Sequence, residues 1–496
     1  MNIILAGYNL DYEIIKEIRS SRPDEETLTP ETISAAYARI SRNPSPVTEL
    51  RETARKEVEK ARNSNRSIVF DMGHSSIAEH AVFNIDVLGV SRFLVEEIEK
   101  FRLCSYTEKS QRYILLEDDF VIPEEIRQTG VEEPFIKTIK EQNRFYHDLY
   151  SKLKPYIFEK NRDLASDPAN HRVLEGWAKE DARYIISLAT ETQLGMTINA
   201  RNLELMLRRC AAHPTAEARE YSNKLYQATK DVAPSLIRYT KPTEFDLMTR
   251  GDLKTKAKGL IEKWGGKAEK ARTGATLDRN NVVISYSTPD ADNRIVTSLI
   301  HSSSNISLEE SMAIVSSMNN EEKEEVVKAA CRYMNPHDAA LREFENIDLL
   351  FELTISATCF AQLKRHRMAT ILCQDYDPAL GVTIPPAISE IGMENHFRDV
   401  ISRTEESYDQ IKKVAPIAAG YILTNAHQKR VAIKINAREL YHIARLRADR
   451  DAQWDIREIA EKMLMLGRKA MPLTLMLATG KDGFASLYDR CFTDVK

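Results

Sequence analysis

No Cys-x-x-Cys pair occurs among the six cysteines, which stand at positions 104, 210, 331, 359, 373 and 491. Scattered in this way they offer neither the paired spacing of a zinc site nor a disulfide framework, and they suit reduced thiols. Glycine is scarce, at 17 of 496 residues, and no Gly-x-Gly-x-x-Gly is present, so no Rossmann site and no metal site is indicated. Nothing approaches roughly eighteen unbroken apolar residues. The opening Met1-Asn2-Ile3-Ile4-Leu5-Ala6-Gly7 carries no basic leader. The expectation is a cytoplasmic chain with no signal peptide and no membrane association. Net charge is also nearly lacking, at −4, which removes the general electrostatic footprint of a nucleic-acid binder.

What is present is length enough for two or three domains and a pattern that occurs twice. The first copy centres on Lys100-Phe101-Arg102-Leu103-Cys104-Ser105-Tyr106-Thr107-Glu108-Lys109-Ser110-Gln111-Arg112-Tyr113. A helix is expected before it, over Ser91–Lys100, and extended chain after it, at Phe120-Val121-Ile122-Pro123. The weaker second copy is Lys364-Arg365-His366-Arg367-Met368-Ala369-Thr370, preceded by a helix over Ser356–Leu363 and followed by Val382-Thr383-Ile384-Pro385. Apolar alternation at 83, 85 and 87 predicts a half-buried strand over Val82–Val90, and a similar stretch runs from Phe344 to Thr354. Ile198-Asn199-Ala200-Arg201 returns letter for letter as Ile435-Asn436-Ala437-Arg438, each opening a helix with the asparagine as its cap. Short strands are expected at Asn2–Tyr8, Met196–Ile198 and Val282–Ser287, and helices at Glu31–Ile40, Glu49–Ala61 and Glu133–Lys160. Echoes in the same order imply a domain-sized internal duplication. The expected division is residues 1–240, a lysine-rich linker with one helical segment at 241–280, and residues 281–496.

In an extended loop Glu108, Ser110 and Arg112 would point the same way. A hydroxyl, an arginine and backbone N–H groups make a phosphate site, while the plainer reading is a solvated loop in which Glu108 and Arg112 pair. Arg365-His366-Arg367 reads either as a basic helix end that complements its own dipole or as a clamp for an anion. His74 and His337, each ahead of a strand, read as structural histidines.

The set His74-Ser75-Ser76-x-x-Glu79-His80, Ser91-Arg92, Lys100-Phe101-Arg102 and Ser105-x-x-Glu108-x-Ser110-Gln111-Arg112-Tyr113 resembles the signature of flavin-dependent thymidylate synthases. That signature begins Arg-His-Arg and continues to a serine and Arg-Tyr. The first half departs from it at Lys100 and Phe101. The second half has Arg365-His366-Arg367 but a loop three residues shorter, with Asp375 where the serine belongs. It also has Leu446-Arg447-Ala448-Asp449-x-x-Ala452-Gln453-Trp454-x-Ile456-Arg457, similar to the family's C-terminal hallmark.

The resemblance implies an α+β fold of two homologous domains, each a small sheet packed with helices. It implies reductive methylation of dUMP to dTMP with FAD, NADPH and methylenetetrahydrofolate. The nucleotide set it implies is Glu108, Lys109, Ser110, Gln111, Arg112 and Arg183 from the first half, with Gln362, Arg365 and Arg447 from the second. Ser110 and Arg447 stand as the catalytic pair. Gly420 occupies the second half's counterpart of Arg183, and Cys210 the first half's counterpart of Arg447. Each half therefore keeps one side of a composite site. For FAD the resemblance implies Arg365, His366, Arg367, Asn436, Ala437, Arg438 and His442, with Ser76, Asn199 and Arg201. Family sites lie between subunits of a tetramer, so a homodimer acting as a pseudo-tetramer is expected. An inactive nucleotide-binding paralogue and a flavoenzyme for another pyrimidine nucleotide are the alternatives.

Overall fold

A computed structural model describes residues 1–20, 28–40, 46–71, 74–272 and 281–492. Strands β1 (Asn2–Tyr8), β2 (Val82–Ser91), β3 (Ser105–Glu108) and β4 (Glu191–Asn199) form one antiparallel sheet in the order β1-β2-β4-β3. Strands β5 (Val282–Ser287), β6 (Leu349–Ser356), β7 (Thr370–Cys373) and β8 (Gln428–Ile435) repeat that order as β5-β6-β8-β7. The strands form because one face of each is apolar. Phe83, Ile85 and Val87 are buried on β2, as are Phe351, Leu353 and Ile355 on β6 and Val431, Ile433 and Ile435 on β8. The α+β class and the duplication expected from sequence are both present.

Register aligns the copies residue by residue. Ser105 pairs with Thr197 and Thr370 with Lys434, at equal distances before Asn199 and Asn436. Ser110 thus corresponds to Asp375 and Arg112 to Asp377. Both asparagines cap their helices, Ala200–Ala211 and Ala437–Arg447, by accepting from the N–H of Asn202 and Glu439. Ser91 and Ser356 likewise cap Arg92–Ile98 and Ala357–Leu363.

The chain divides into two compact units that do not coincide with the copies. The first is Met1–Lys179, Ile186–Leu277 and Arg398–Leu423; the second is Glu180–Ile185, Asp278–Phe397 and Thr424–Lys496. Each copy therefore gives a segment to the other. In the first unit Gln142 of the helix Glu132–Lys160 donates to Thr404 Oγ1 (2.9 Å) and to the Ile422 carbonyl (3.0 Å). There Tyr421 donates to Glu217 (2.7 Å), which also accepts from the Ser91 hydroxyl (2.6 Å) and N–H (2.8 Å). In the second unit Tyr184 donates to Asp455 (2.9 Å), which also accepts from the Ser356 hydroxyl (2.6 Å). The same three-membered cluster occurs twice, with its tyrosine always from the other copy.

Some expectations need correction. Phe120–Pro123 and Val382–Pro385 are not strands but single bridges, Phe120 to Thr190 and Val382 to His427. Pro123 and Pro385 then stand just before the helices Glu124–Arg127 and Pro386–Glu390, because proline lacks the N–H a ladder needs but fits a helix start. Glu49–Ala61 is two helices, Val47–Lys56 and Val58–Arg66, broken at Glu57. Met196–Ile198 is only the end of nine-residue β4, whose alternation is obscured by polar Thr192 facing inward and by Gly195 facing outward. The helix Asn320–Cys331 was not anticipated, although Asn319 and Glu322 form its capping box. Within 241–280 the helix is Glu244–Arg272.

Tyr421→Phe should lower unfolding free energy by roughly 1.5–3 kcal/mol, because a charge-assisted hydrogen bond to a buried carboxylate is lost. Urea denaturation checks this. An unchanged midpoint would mean that the hydroxyl adds nothing to holding the exchanged segment.

Candidate functional site

In the second unit the site grows from two helix ends. Asn436 starts the helix Ala437–Arg447, which places Glu439 in its first turn and Arg447 at its last residue. Eight residues of helix span about 12 Å. His366 bridges that gap. Its Nδ1 lies 3.2 Å from the Glu439 carboxylate, and its Nε2 accepts from Arg447 Nε at 3.1 Å. The imidazole therefore carries its proton on Nδ1. Burial lowers the His366 pKa, the Arg447 charge lowers it further, and Glu439 opposes them, so the ring is held neutral. A second guanidinium nitrogen of Arg447 donates to the Gln362 carbonyl at 3.2 Å.

Gln362 continues the chain of contacts, with its amide 3.4 Å from Gln453 Oε1. Gln453 caps the helix Trp454–Ala470 and donates to the Tyr184 hydroxyl at 2.8 Å. Tyr184 stacks on Trp454, centroids 5.7 Å apart, and the Trp454 indole donates to Asp181 at 2.9 Å. Between Asp181 and Tyr184 in sequence lies Arg183, which is buried, and whose carbonyl accepts from Asn425 at 3.0 Å. Arg183, Gln362 and Arg447 are thus gathered in one unit, although Arg183 comes from the first copy. Arg365 belongs to the same unit and is exposed.

Burial pushes Asp181 up to about 7; Trp454 opposes this, Glu180 and Glu390 add to it, and Arg183 works against it. The loop in the first unit differs from expectation. Glu108 ends β3 with its carboxylate buried against Arg92, and Thr192 donates to it at 3.3 Å. Glu108 thus has Arg92 as an ion partner, a pairing the sequence did not suggest. Burial alone would lower the Arg92 pKa, but Glu108 reverses this and raises it. The chain then turns at Gln111–Tyr113, burying Gln111. The Lys109 N–H is bonded to the Gln193 carbonyl (2.9 Å), and the Arg112 N–H donates to Ser110 Oγ (3.3 Å).

The remaining expected residues separate into two kinds. His442, Arg438 and Arg445 line a cavity of about 210 Å³ with Met368, Lys481 and Phe484. The His442 ring meets that of His366 edge-on at 5.5 Å, and its Nδ1 accepts from Arg445 at 3.0 Å. Arg438 donates to the Ala340 carbonyl (2.7 Å) and pairs with Glu345 (2.8 Å). Arg367 is exposed, and Ala437 is buried. Asn199 and Asn436 spend their side-chain oxygens on helix caps. Ser76 is exposed, and Arg201 pairs with Glu79 at 2.5 Å. Sequence reasoning missed Glu439, Tyr184, Asp455 and Arg92. Arg92, a cation opening an otherwise apolar helix turn, was the most legible of them.

Two tandem copies of one antiparallel sheet-and-helix module, each giving a segment to the other's unit, define a class of duplicated two-sheet proteins. The model of the family described as "Thymidylate synthase complementing protein" matches residues 25–235 and 282–473, and the chain belongs to that family. It is similar to the flavin-dependent thymidylate synthase of Clostridium tetani, 31% identical over 222 residues that cover 44% of this chain and 85% of the relative. A UPF0159 protein of Thermoplasma acidophilum is 23% identical over 474 residues, covering 86% of this chain and 91% of the relative. The Pyrococcus furiosus flavin-dependent thymidylate synthase is 32% identical over 215 residues, covering 40% of this chain and 79% of the relative.

The raised Asp181 pKa has a definite sign. The folded state holds the proton more tightly than the unfolded chain, so this group's contribution is full below the ordinary carboxylate range. It is lost as pH rises through about 7. Asp181→Asn keeps an oxygen for Trp454 and should be more stable than the parent at about pH 8 but not at about pH 5. Urea midpoints at both values decide it; an equal difference at the two would show that Asp181 titrates normally.

Proposed function

We propose that the protein carries out FAD-dependent reductive methylation of dUMP, with methylenetetrahydrofolate as carbon donor and NADPH as reductant, at a composite site drawing on both copies. The observation that carries this reading is Arg183 of the first copy lying in the unit that holds Gln362 and Arg447 of the second. Membership of the family supports the chemistry.

A nucleotide phosphate is a dianion and needs charge-assisted donors, for which Arg112, Arg183 and the backbone of Ser110 and Gln111 are suited. Activation of the pyrimidine at C5 builds negative charge on its carbonyl oxygens, and a fixed cation stabilises that charge. Arg447 is such a cation. The neutral His366 and the Gln362 carbonyl restrain its guanidinium, so little orientational freedom is left to lose on binding. Ser110 accepts from the Arg112 N–H and so shapes the turn that presents the phosphate donors.

The cavity beside His442 has apolar walls from Met368 and Phe484 and basic groups from Arg438, Arg445 and Lys481, with Asp338 and Glu439 also on its lining. These residues fit a planar aromatic group carrying phosphates, and Arg438 and His442 would hold FAD there; Arg365 and Arg367, exposed on the same unit but outside the cavity's lining, would add charge for its phosphates. When bound and reduced, FAD supplies the hydride that completes the methyl group. Two such chains would associate as a homodimer.

Purified protein supplied with FAD, folate and NADPH should convert dUMP to dTMP. Arg447→Ala should lower kcat/KM by about ten- to a hundredfold, the cost of a lost charge-assisted contact, and Ser110→Ala should cripple turnover by loosening the turn that presents the phosphate donors. Cys210→Ala and Asp375→Ala should leave it nearly intact. Nucleotide binding without turnover would favour an inactive paralogue, and turnover of another pyrimidine nucleotide would replace the substrate. Equal losses from Ser110→Ala and Asp375→Ala would remove the composite site.

A further inference from the structure

The duplication predicts two pseudo-equivalent nucleotide positions, one in each unit, yet the two are built differently. In each unit the exchanged segment brings a tyrosine to a buried carboxylate and a serine, so the backbones correspond closely. The Phe93 N–H donates to the Leu188 carbonyl (2.9 Å), and the Thr358 N–H donates to the Asn425 carbonyl (3.1 Å). Arg92 N–H to Thr190 carbonyl (3.0 Å) and Ala357 N–H to His427 carbonyl (3.1 Å) form the next matched pair. Phe93 is therefore the first unit's counterpart of Thr358, and Gly420, which precedes Tyr421, is the counterpart of Arg183.

The space beyond Gly420 is filled. A Cβ on Gly420 would lie 2.8 Å from Phe93 Cε2 and 3.2 Å from Cζ, so even alanine there meets the aromatic ring. That ring packs on Tyr421, centroids 4.5 Å apart and planes at 33°. The ring is half-buried, and that packing on Tyr421 is what holds it over Gly420. Nearby chemistry is equally changed. Cys210, at the counterpart of Arg447, is buried with its thiol pushed up to about 12 by that burial. Glu97, at the counterpart of Gln362, is a carboxylate paired with Lys100. A dianion would find an aromatic ring, a neutral thiol and a negative charge where the second unit offers Arg183, Arg447 and an amide.

We infer that the Phe93 ring closes the first unit's copy of the nucleotide position, so that each chain takes one nucleotide rather than two. This rests on the composite-site reading for the position that stays open. The two differences form a linked pair: with glycine rather than arginine at 420, there is room for the phenylalanine at 93. Either change alone would leave a void or a clash.

Two measurements test it. Calorimetric titration of the full chain with dUMP should give one equivalent bound per chain. Two equivalents would overturn the closure alone, and no binding at all would overturn the composite-site reading and the closure with it. Independently of nucleotide, Gly420→Arg should lower Tm by several degrees, and Phe93→Thr added to it should recover at least half of that loss. Phe93→Thr alone keeps the comparison possible if the arginine variant fails to fold, since the double variant should then fold where the single one does not. An arginine tolerated at 420 with Phe93 in place, or no recovery in the double variant, would show that the ring does not fill the position.

Discussion

The structure depends on a carboxylate buried at the same place in each unit. Glu217 and Asp455 each accept from a helix-capping serine and from a tyrosine of the other copy. Burial raises both pKa values, while the hydroxyl donors pull against that rise. A buried acceptor is costly without partners, and the exchanged segment supplies one donor to each carboxylate. Each unit is in this way completed by a segment of the other copy. What looks in sequence like two domains in series is an exchange, and the site inherits it. Arg183 reaches the second unit because Tyr184, its neighbour, is required there.

The exchange leaves matched positions of the two copies free to differ. The arginine at 183 and the glycine at 420 occupy matched backbone positions with opposite consequences. So do Ser110 and Asp375, and Arg447 and Cys210. In the first copy, β3 ends in a carboxylate neutralised by Arg92. At the corresponding depth of the second sheet, Lys429 is buried with its ammonium 3.7 Å from the Phe360 ring centroid and 4.1 Å from that of Tyr376. Both sheets keep a buried cation at that end, one stabilised by an ion pair and the other by aromatic faces. The scaffold tolerates either solution because each satisfies the charge locally.

Much of this was legible in the sequence, because duplication prints the same local rules twice. The alternation Phe83, Ile85, Val87 and the repeated Asn-Ala-Arg marked strands and caps through period and capping chemistry alone. The inward Thr192 and outward Gly195 hid most of β4, and a break at Glu57 left no compositional trace. The site residues were legible as motifs, but their orientations were not. Glu108, Ser110 and Arg112 alternate in sequence, and nothing there signals the turn at Gln111 or the pairing of Glu108 with Arg92. The exchange could not be read at all, since Tyr184 and Asp455 are 271 positions apart and nothing local signals the bond between them.

His366 shows how a motif can conceal a role. Between two exposed arginines it suggests a third contact to an anion. Buried, with Glu439 on one nitrogen and Arg447 on the other, it is better suited to aligning a guanidinium than to touching a cofactor phosphate. A protonated ring would lose its acceptor nitrogen and repel Arg447, so the lowered pKa serves the geometry. The first copy has Phe101 at the matching position and Cys210 in place of the arginine. With no guanidinium to hold, an imidazole there would be a buried polar group lacking its partner. The histidine and the arginine are present together in one copy and absent together from the other, as expected of two groups that act as one.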